Sequence, residues 1–248
     1  MSKYDDLYNR VGSQIGWDFS SLKITEEGVK WDFYDLVAQY AESHPFLLDL
    51  GTGGGHRVLD IAKYFSLLVG IDSSSGMIQT AQKNLAKSNA KNAKFLQMSS
   101  ENIAFPDGFF DIITARHTPF WASEVYRLLR PGGVFLCQNV TEDDKSNIVE
   151  IFGRGQGFGN EEGTLLEKDV AQLEKAGFSE ITTDYYNATE YYQRPEDLMF
   201  LLQNTPIVDD FGEQSGDMDL FEKVVKENQT SKGIKTNASR SLIVAKKL

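Results

Sequence analysis

One stretch of the chain constrains the fold more than any other. Residues 46–65 read FLLDLGTGGGHRVLDIAKYF, in which an apolar run breaks at a five-residue segment with four glycines and then resumes at helical spacing. The first run predicts a buried strand and the second an amphipathic helix. Glycines at such a junction let a ligand approach the backbone, and the N–H groups at the start of the helix would face it. We therefore expect a nucleotide-like cofactor at this loop.

Strand and helix patterns alternate after the loop. Strand-like runs occur at SLLVGID, AKFLQMS, FDIITAR and GGVFLCQNV, and helix-like segments at SGMIQTAQKNLAKSN, WASEVYRLL and TLLEKDVAQLEKAGF. Two further strands are predicted at SEITTDYYNATEYYQ and SRSLIVAKK. This alternation predicts an α/β fold with a doubly wound, Rossmann-like sheet and right-handed crossovers.

The net charge of the chain limits its partners. The formal charge is −11, with 36 acidic and 25 basic residues, and no dense Lys/Arg cluster is present. Nucleic-acid binding relies on a positive patch that displaces counterions, so the charge argues against a nucleic acid and favours a small-molecule substrate.

Cysteine content and hydropathy indicate a cytoplasmic protein. The single cysteine, Cys137, lies in an apolar run and cannot form an internal disulfide. The N-terminus lacks a signal-peptide pattern, and no apolar run reaches the roughly 18 residues of a membrane span. Three scattered histidines and one cysteine show no metal-ligand spacing, so no metal is expected.

The spacing of the glycines distinguishes between cofactors. The dinucleotide fingerprint G-x-G-x-x-G would need a third glycine at His56 or Val58, so both frames fail. The acid that precedes the glycines, Asp49, would repel a pyrophosphate but suits an ammonium group. An amino acid joined to a nucleoside fits both the acid and the helical N–H groups, and S-adenosylmethionine is such a molecule. Asp72, 17 residues after Gly55, ends the second strand where a carboxylate can accept hydrogen bonds from ribose hydroxyls.

Four segments in order carry a family resemblance. LLDLGTGGG, GIDSSSGMIQTAQ, FPDGFFDIITARHTPFW and SEVYRLLRPGGVFL resemble the class I S-adenosylmethionine-dependent methyltransferases, in particular the ubiquinone/menaquinone-biosynthesis type. The resemblance covers residues 46–140. It implies a seven-stranded, mostly parallel sheet with one antiparallel strand, S-adenosylmethionine as cofactor, and methyl transfer to a small-molecule acceptor by in-line displacement.

The resemblance also implies a domain organisation. We expect one methyltransferase domain over residues 1–248, with a helical lid segment at 1–45 and a helical insertion at 194–235. The core would then comprise residues 46–193 and 236–248.

The resemblance assigns cofactor contacts to specific positions. The expected contacts to the methionine and ribose portion are Gly51, Thr52, Gly53, Gly55 and Arg116, with Asp49 near the amino group and Asp72 on the ribose. Ser73 and Met77 are expected beside the adenine. This family usually has an acid after the third strand, and here that place is held by Ser99, with Ser100 and Glu101 following as further candidates.

The acceptor side is less defined. His117 is the candidate catalytic residue, either as a general base or as a group that orients the substrate; its alternative is a structural role in the loop. Tyr8, Trp17, Trp121 and Arg154 are candidate substrate contacts, with surface packing, core packing or solvation as their alternatives. Tyr4 joins the lid by resemblance, whereas Phe120 is expected in the core, and His44 and His56 in structural roles.

Two alternative functions would use the same cofactor site. An RNA or protein methyltransferase would need a large acceptor surface, and a non-catalytic module would bind S-adenosylmethionine without turnover.

Overall fold

The computed structural model describes residues 5–42 and 45–248, so the predictions for Tyr4 and His44 lie outside the described residues. The strands are β1 (Ile24–Glu27), β2 (Phe46–Leu50), β3 (Leu67–Asp72), β4 (Ala93–Gln97), β5 (Phe110–Arg116), β6 (Leu129–Val140), β7 (Glu180–Tyr192), β8 (Gln229–Thr230) and β9 (Gly233–Lys246). The helices are α1 (Asp5–Gln14), α2 (Phe33–Gln39), α3 (His56–Asp60), α4 (Ser75–Lys87), α5 (Ala122–Leu128), α6 (Ser146–Phe152), α7 (Thr164–Ala176), α8 (Pro195–Gln203) and α9 (Asp217–Asn228).

All of these strands belong to one sheet. Its order is β1-β7-β9-β6-β5-β2-β3-β4, and β8 pairs with β9 outside this path. Five adjacent strands of the sheet are parallel to one another: β4, β3, β2, β5 and β6. Strand β9 is antiparallel to both β6 and β7. The α/β, Rossmann-like fold is therefore confirmed, and among the seven predicted strands β9 is the antiparallel one.

The strand count differs from the prediction, because residues 5–42 and 45–248 form nine strands instead of seven. The additional strands are β1, at the sheet edge against β7, and β8, which forms a hairpin with β9. The sequence of β1 is ITEE, which has no alternation of apolar and polar residues, and β8 has only two residues. Such strands form because an existing sheet edge offers partners, so local periodicity does not reveal them.

Apolar layers cover both faces of the parallel strands. Adjacent residues point to opposite faces: Leu48 lies in one buried cluster with residues of α5 and α7, and Leu47 lies in the other with residues of α2 and α4. Burial on both faces explains why these strands are almost continuously apolar. The parallel strands thus form a rigid layer with aligned carboxyl ends.

The order of the strands places the glycine-rich loop. The chain passes from β2 outward to β3 and β4, and then returns to β5 on the other side of β2. Leu50 pairs with Ile71 of β3 and Ala115 of β5, so the loop after β2 lies between the carboxyl ends of these two strands. This reversal point is where open α/β sheets bind ligands.

Strands β7 and β9 extend beyond the end of β6. The β6–β9 pairing ends at Val140 and Arg240, whereas β7 and β9 stay paired up to Tyr192 and Ile234. With β1 they form an antiparallel extension, and helices α6, α8 and α9 pack against it through a third buried cluster that includes Ile148, Leu198 and Val224. The predicted insertion, residues 194–235, contains α8 and α9. Strand β9 begins at Gly233, before the predicted end of the insertion at residue 235.

Candidate functional site

The glycine-rich loop turns through three left-handed residues. The φ angles of Gly51, Gly53 and Gly55 are 62°, 55° and 70°. A Cβ at Gly55 would lie 2.5 Å from the Phe95 ring, and one at Gly51 would lie 2.5 Å from Oγ1 of Thr118. Both the backbone conformation and the close packing therefore require glycine.

Asp72 fastens the loop to β3. Its Oδ2 accepts a hydrogen bond from the Gly53 N–H at 3.0 Å, and its Oδ1 accepts one from the Ser74 N–H at 2.9 Å. Burial raises the pKa of this carboxyl, and the two backbone hydrogen bonds oppose that rise. Each carboxylate oxygen accepts up to two hydrogen bonds, so both retain capacity for a ligand hydroxyl.

Asp49 lies beneath the loop, fully buried. It accepts a hydrogen bond from Oγ1 of Thr114 at 2.7 Å, and the Tyr34 hydroxyl lies 3.4 Å from both carboxylate oxygens. Burial raises its pKa to about 6, although the hydrogen bond from Thr114 acts in the opposite direction. The guanidinium of Arg116 lies 5.9 Å from the centre of the Tyr34 ring, which adds a positive charge to this region.

One buried polar atom at the site, Nε of Arg116, has no hydrogen-bond partner among the described residues. The hydroxyl of Thr52 is also buried, and its interaction with the Asp49 carboxylate opposes the rise in the pKa of that group. A buried polar group without a partner is costly in a folded protein, and its presence beside a loop indicates a ligand that completes it. Both residues belong to the predicted cofactor contacts, so the residues present fit a polar, nucleoside-like group.

The predicted adenine contacts lie at the carboxyl ends of β3 and β4. Met77 is buried and Ser73 is exposed, with the Ser73 carbonyl accepting a hydrogen bond from the Gln97 side chain at 3.0 Å. The exposed Ser99 accepts a hydrogen bond through Oγ from the Glu101 N–H at 3.2 Å. Ser100 Oγ lies 3.5 Å from the Pro119 carbonyl. These residues therefore come after the ends of β3 and β4, on the side of the sheet where Asp72 lies.

The N-terminal segment packs on the glycine-rich loop. The Gly16 carbonyl accepts a hydrogen bond from the Gly54 N–H at 2.8 Å, and Oγ1 of Thr80 in α4 donates to the Gly12 carbonyl at 2.7 Å. Trp17 has a left-handed φ of 67°, and its ring lies 5.5 Å from that of Tyr8. The structure thus brings Tyr8 and Trp17 close to the loop.

His117 follows β5 in a left-handed conformation with φ 54°. Its N–H donates to the Gln138 carbonyl at 2.8 Å, and its Nε2 lies 3.1 Å from Nε2 of Gln138. Burial holds the pKa of His117 well below its usual range, and the positive charges of Arg116, Arg240 and Lys145 act in the same direction. The imidazole is therefore neutral at physiological pH.

A buried charged network borders His117. Nζ of Lys145 donates to Glu190 and to the Asn237 carbonyl, both at 2.7 Å, and Nη1 of Arg240 donates to Asp144 at 2.5 Å. These residues come from β6–α6, β7 and β9, so the network joins the sheet extension to the end of β6.

The remaining candidates, Trp121, Phe120 and Arg154, differ in their exposure and contacts. Trp121 precedes α5 and is 37% exposed, whereas Phe120 is buried against Phe135, which confirms its predicted core position. Arg154 contacts the predicted insertion, because it donates to the Asp209 carbonyl at 2.9 Å and to Asp217 at 2.7 Å.

Several residues at the site were missed in the sequence. Thr114 and Gln138 are buried polar residues inside apolar strands, which is a usable signal for a functional side chain. Trp31 and Tyr34 gave no such signal, because they belong to an amphipathic pattern and reach the site only through tertiary packing.

Comparison with known proteins agrees with this geometry. A family model described as "Methyltransferase domain" matches residues 48–137, which include the loop, Asp72 and His117. Residues 48–137 are therefore similar to a methyltransferase domain. The predicted resemblance to the class I S-adenosylmethionine-dependent methyltransferases is thereby confirmed.

Individual relatives cover part of the chain. An uncharacterized methyltransferase YcgJ of Bacillus subtilis is 34% identical over 121 residues, covering 46% of this chain and 47% of that protein. A demethylmenaquinone methyltransferase of Symbiobacterium thermophilum is 30% identical over 143 residues, covering 53% of each. The chain spans about half the length of the curated relatives it matches.

The structural likeness is more extensive. The crystal structure of YcgJ from Bacillus subtilis superposes with a TM-score of 0.64 at 20% identity, covering 86% of this chain and 97% of that one. This likeness concerns the fold. In the described part of the chain, no helix is long and apolar enough to cross a membrane, and no group of three or more His, Cys, Asp or Glu side chains is arranged to hold a metal ion.

Proposed function

We propose that this protein is an S-adenosylmethionine-dependent methyltransferase that methylates a small-molecule acceptor by in-line displacement. One observation carries the proposal. A methyltransferase domain has its left-handed glycine loop at the reversal point of the sheet, fastened by an Asp72 carboxylate that keeps hydrogen-bonding capacity.

The chain's own residues would hold the cofactor. S-Adenosylmethionine, when bound, supplies a methyl group on a positively charged sulfur, which is already an excellent leaving group. Asp72 would accept hydrogen bonds from the ribose, and the buried Arg116 Nε would gain the partner that it lacks among the described residues. Asp49 would provide negative charge near the amino group from beneath the loop. Much of the catalysis would then come from alignment and exclusion of water.

Several features support a small-molecule acceptor. The charge of −11 disfavours a nucleic acid, and the relative from Symbiobacterium is named for a small-molecule reaction. The N-terminal segment lies over the loop, and the extension of β1, β7 and β9 lies beyond the end of β6, so an acceptor would bind between them. We further propose a cytoplasmic location, on the basis of the single buried cysteine.

The test is calorimetric titration of the purified protein with S-adenosylmethionine, S-adenosylhomocysteine and NAD. We expect binding of both adenosyl ligands and none of NAD. Binding of NAD alone would overturn the proposal. Methyl transfer is then measured with panels of small molecules, RNA and proteins as acceptors. Methylation of RNA or protein alone would replace the proposed acceptor class. Binding of the cofactor without methyl transfer to any panel would favour a non-catalytic module.

A further inference from the structure

A hydrogen-bond chain behind His117 fixes the orientation of an amide. Nε1 of Trp31 donates to Oε1 of Gln138 at 2.8 Å, across 107 residues of sequence. An indole N–H is only a donor, so the amide oxygen of Gln138 has to face Trp31. The amide NH2 group therefore faces His117, and it lies 3.1 Å from Nε2 of that ring.

The orientation of Gln138 then fixes the tautomer of His117. An amide NH2 is only a donor, so Nε2 of His117 has to accept with its lone pair, and the single ring proton of the neutral imidazole lies on Nδ1. The charged groups that face the ring are Arg116 on β5, Arg240 on β9 and Lys145 before α6, and all three disfavour a second ring proton. Gln138 is 3% exposed, so water does not readily replace this contact.

The residue that carries the ring is not fully enclosed by the protein. His117 is half-buried, and the contact with Gln138 is its one side-chain hydrogen bond over the described residues. The next residue, Thr118, packs against Gly51, which places His117 beside the glycine-rich loop. An Nδ1–H group at this place would meet whatever lies next to the cofactor.

We propose that Trp31 and Gln138 are positioning residues that hold His117 in the Nδ1–H tautomer, so that His117 donates a hydrogen bond to an oxygen atom of the acceptor. The inference rests on the proposed function and deepens it. Because Nε2 is occupied and Nδ1 carries the proton, His117 does not serve as the general base. The acceptor therefore presents a hydrogen-bond-accepting oxygen, as in a phenolate, an enolate or a carboxylate.

The tautomer is tested by nitrogen-15 NMR of the full chain labelled at histidine, without any ligand. His117→Asn identifies the His117 signals, since asparagine tolerates the left-handed backbone. We expect a neutral ring protonated at Nδ1 at pH 7. A ring protonated at Nε2, or a cationic ring, would overturn the proposal. This measurement needs no cofactor, so its failure is distinct from failed binding of S-adenosylhomocysteine.

Two variants test the positioning chain. In Gln138→Glu the carboxylate would accept from both Trp31 and His117, so we expect the proton to move to Nε2 and the pKa of His117 to rise by about 1 to 3. In Trp31→Phe the amide loses its orienting donor, and we expect a mixture of tautomers. Gln82→Glu, an exposed position on α4 with the same charge change, should leave the His117 signals unchanged. Unchanged tautomers in Gln138→Glu and Trp31→Phe would contradict the assigned role.

The acceptor class is tested with two probes of similar size. Benzoate carries acceptor oxygens and benzylamine an ammonium group. We expect benzoate to shift the Nδ1 signal of His117 in the natural chain and to lose this effect in Gln138→Glu, whereas benzylamine should cause no shift. A response to benzylamine, or none to benzoate, would overturn this part of the proposal.

Discussion

The cofactor side and the acceptor side of the site are built in different ways. At the glycine-rich loop, backbone N–H groups of Gly53 and Ser74 meet one carboxylate, that of Asp72, within a short stretch of sequence. On the acceptor side, side chains from distant elements meet each other, as in Trp31 with Gln138 and Lys145 with Glu190. A site made from backbone leaves a local motif in the sequence, whereas one made from side chains leaves scattered residues.

The largest expected effect concerns the stability of the acceptor side. Lys145→Met removes a cation that is 2% exposed and leaves Glu190 buried without its charge partner. We expect the free energy of unfolding to fall by about 3–5 kcal/mol in urea denaturation. The affinity for S-adenosylhomocysteine at low temperature should stay within about twofold, because no residue of the glycine-rich loop contributes to this network.

A matched control uses the exposed ion pair of Lys232 and Glu27. Lys232→Met should have little effect on stability, since solvent screens that pair. Combining Lys145→Met with Glu190→Gln should recover part of the loss. If Lys145→Met proved as mild as Lys232→Met, the network would not be the structural basis of the acceptor side.

The next effect concerns the cofactor side. A Cβ at Gly54 would lie 2.4 Å from the Gly16 carbonyl, so Gly54→Ala should push the N-terminal segment away from the loop. We expect the binding free energy of S-adenosylhomocysteine to weaken by about 1–3 kcal/mol in calorimetry. Gly132→Ala, at a left-handed turn with open space around it, should lower stability slightly and leave the affinity unchanged. If the two variants bound S-adenosylhomocysteine with equal affinity, the packing of the N-terminal segment on the loop would not contribute to binding.

The smallest expected effect is a pH dependence of the unfolding free energy that comes from Asp49 on the cofactor side. The pKa of Asp49 is about 6 in the folded state against 3.8 for an ordinary aspartate, so folding takes up a proton between these values. Its contribution to stability is therefore present at low pH and is lost as the pH rises through 6. Between pH 5.0 and 7.5 this loss amounts to about 1.4 kcal/mol.

Asp49→Asn should lack this part of the pH dependence. The check is the difference in unfolding free energy between the natural chain and the variant at both pH values in urea. A difference that stays constant from pH 5.0 to 7.5 would show that Asp49 is ionised throughout.

The same contrast explains what the sequence could predict. The alternation of strands and helices, the glycine-rich loop and Asp72 depend on periodicity and short spacing, and the fold they predict is the observed one. Strand β1 and the contacts of Trp31 and Tyr34 depend on where the folded sheet places its edges, which no local pattern encodes. The contacts of Arg154 are a similar case, because its partners Asp209 and Asp217 lie more than 50 residues away in the sequence.

The most direct measurement compares Asp72→Ala with His117→Asn in calorimetric titrations with S-adenosylhomocysteine. Asp72 belongs to the cofactor side, and we expect its loss to weaken binding about tenfold or more, as for a hydrogen-bonded charged group. His117 belongs to the acceptor side, so its replacement should change the affinity by less than about twofold. Full affinity in Asp72→Ala together with lost affinity in His117→Asn would contradict the account.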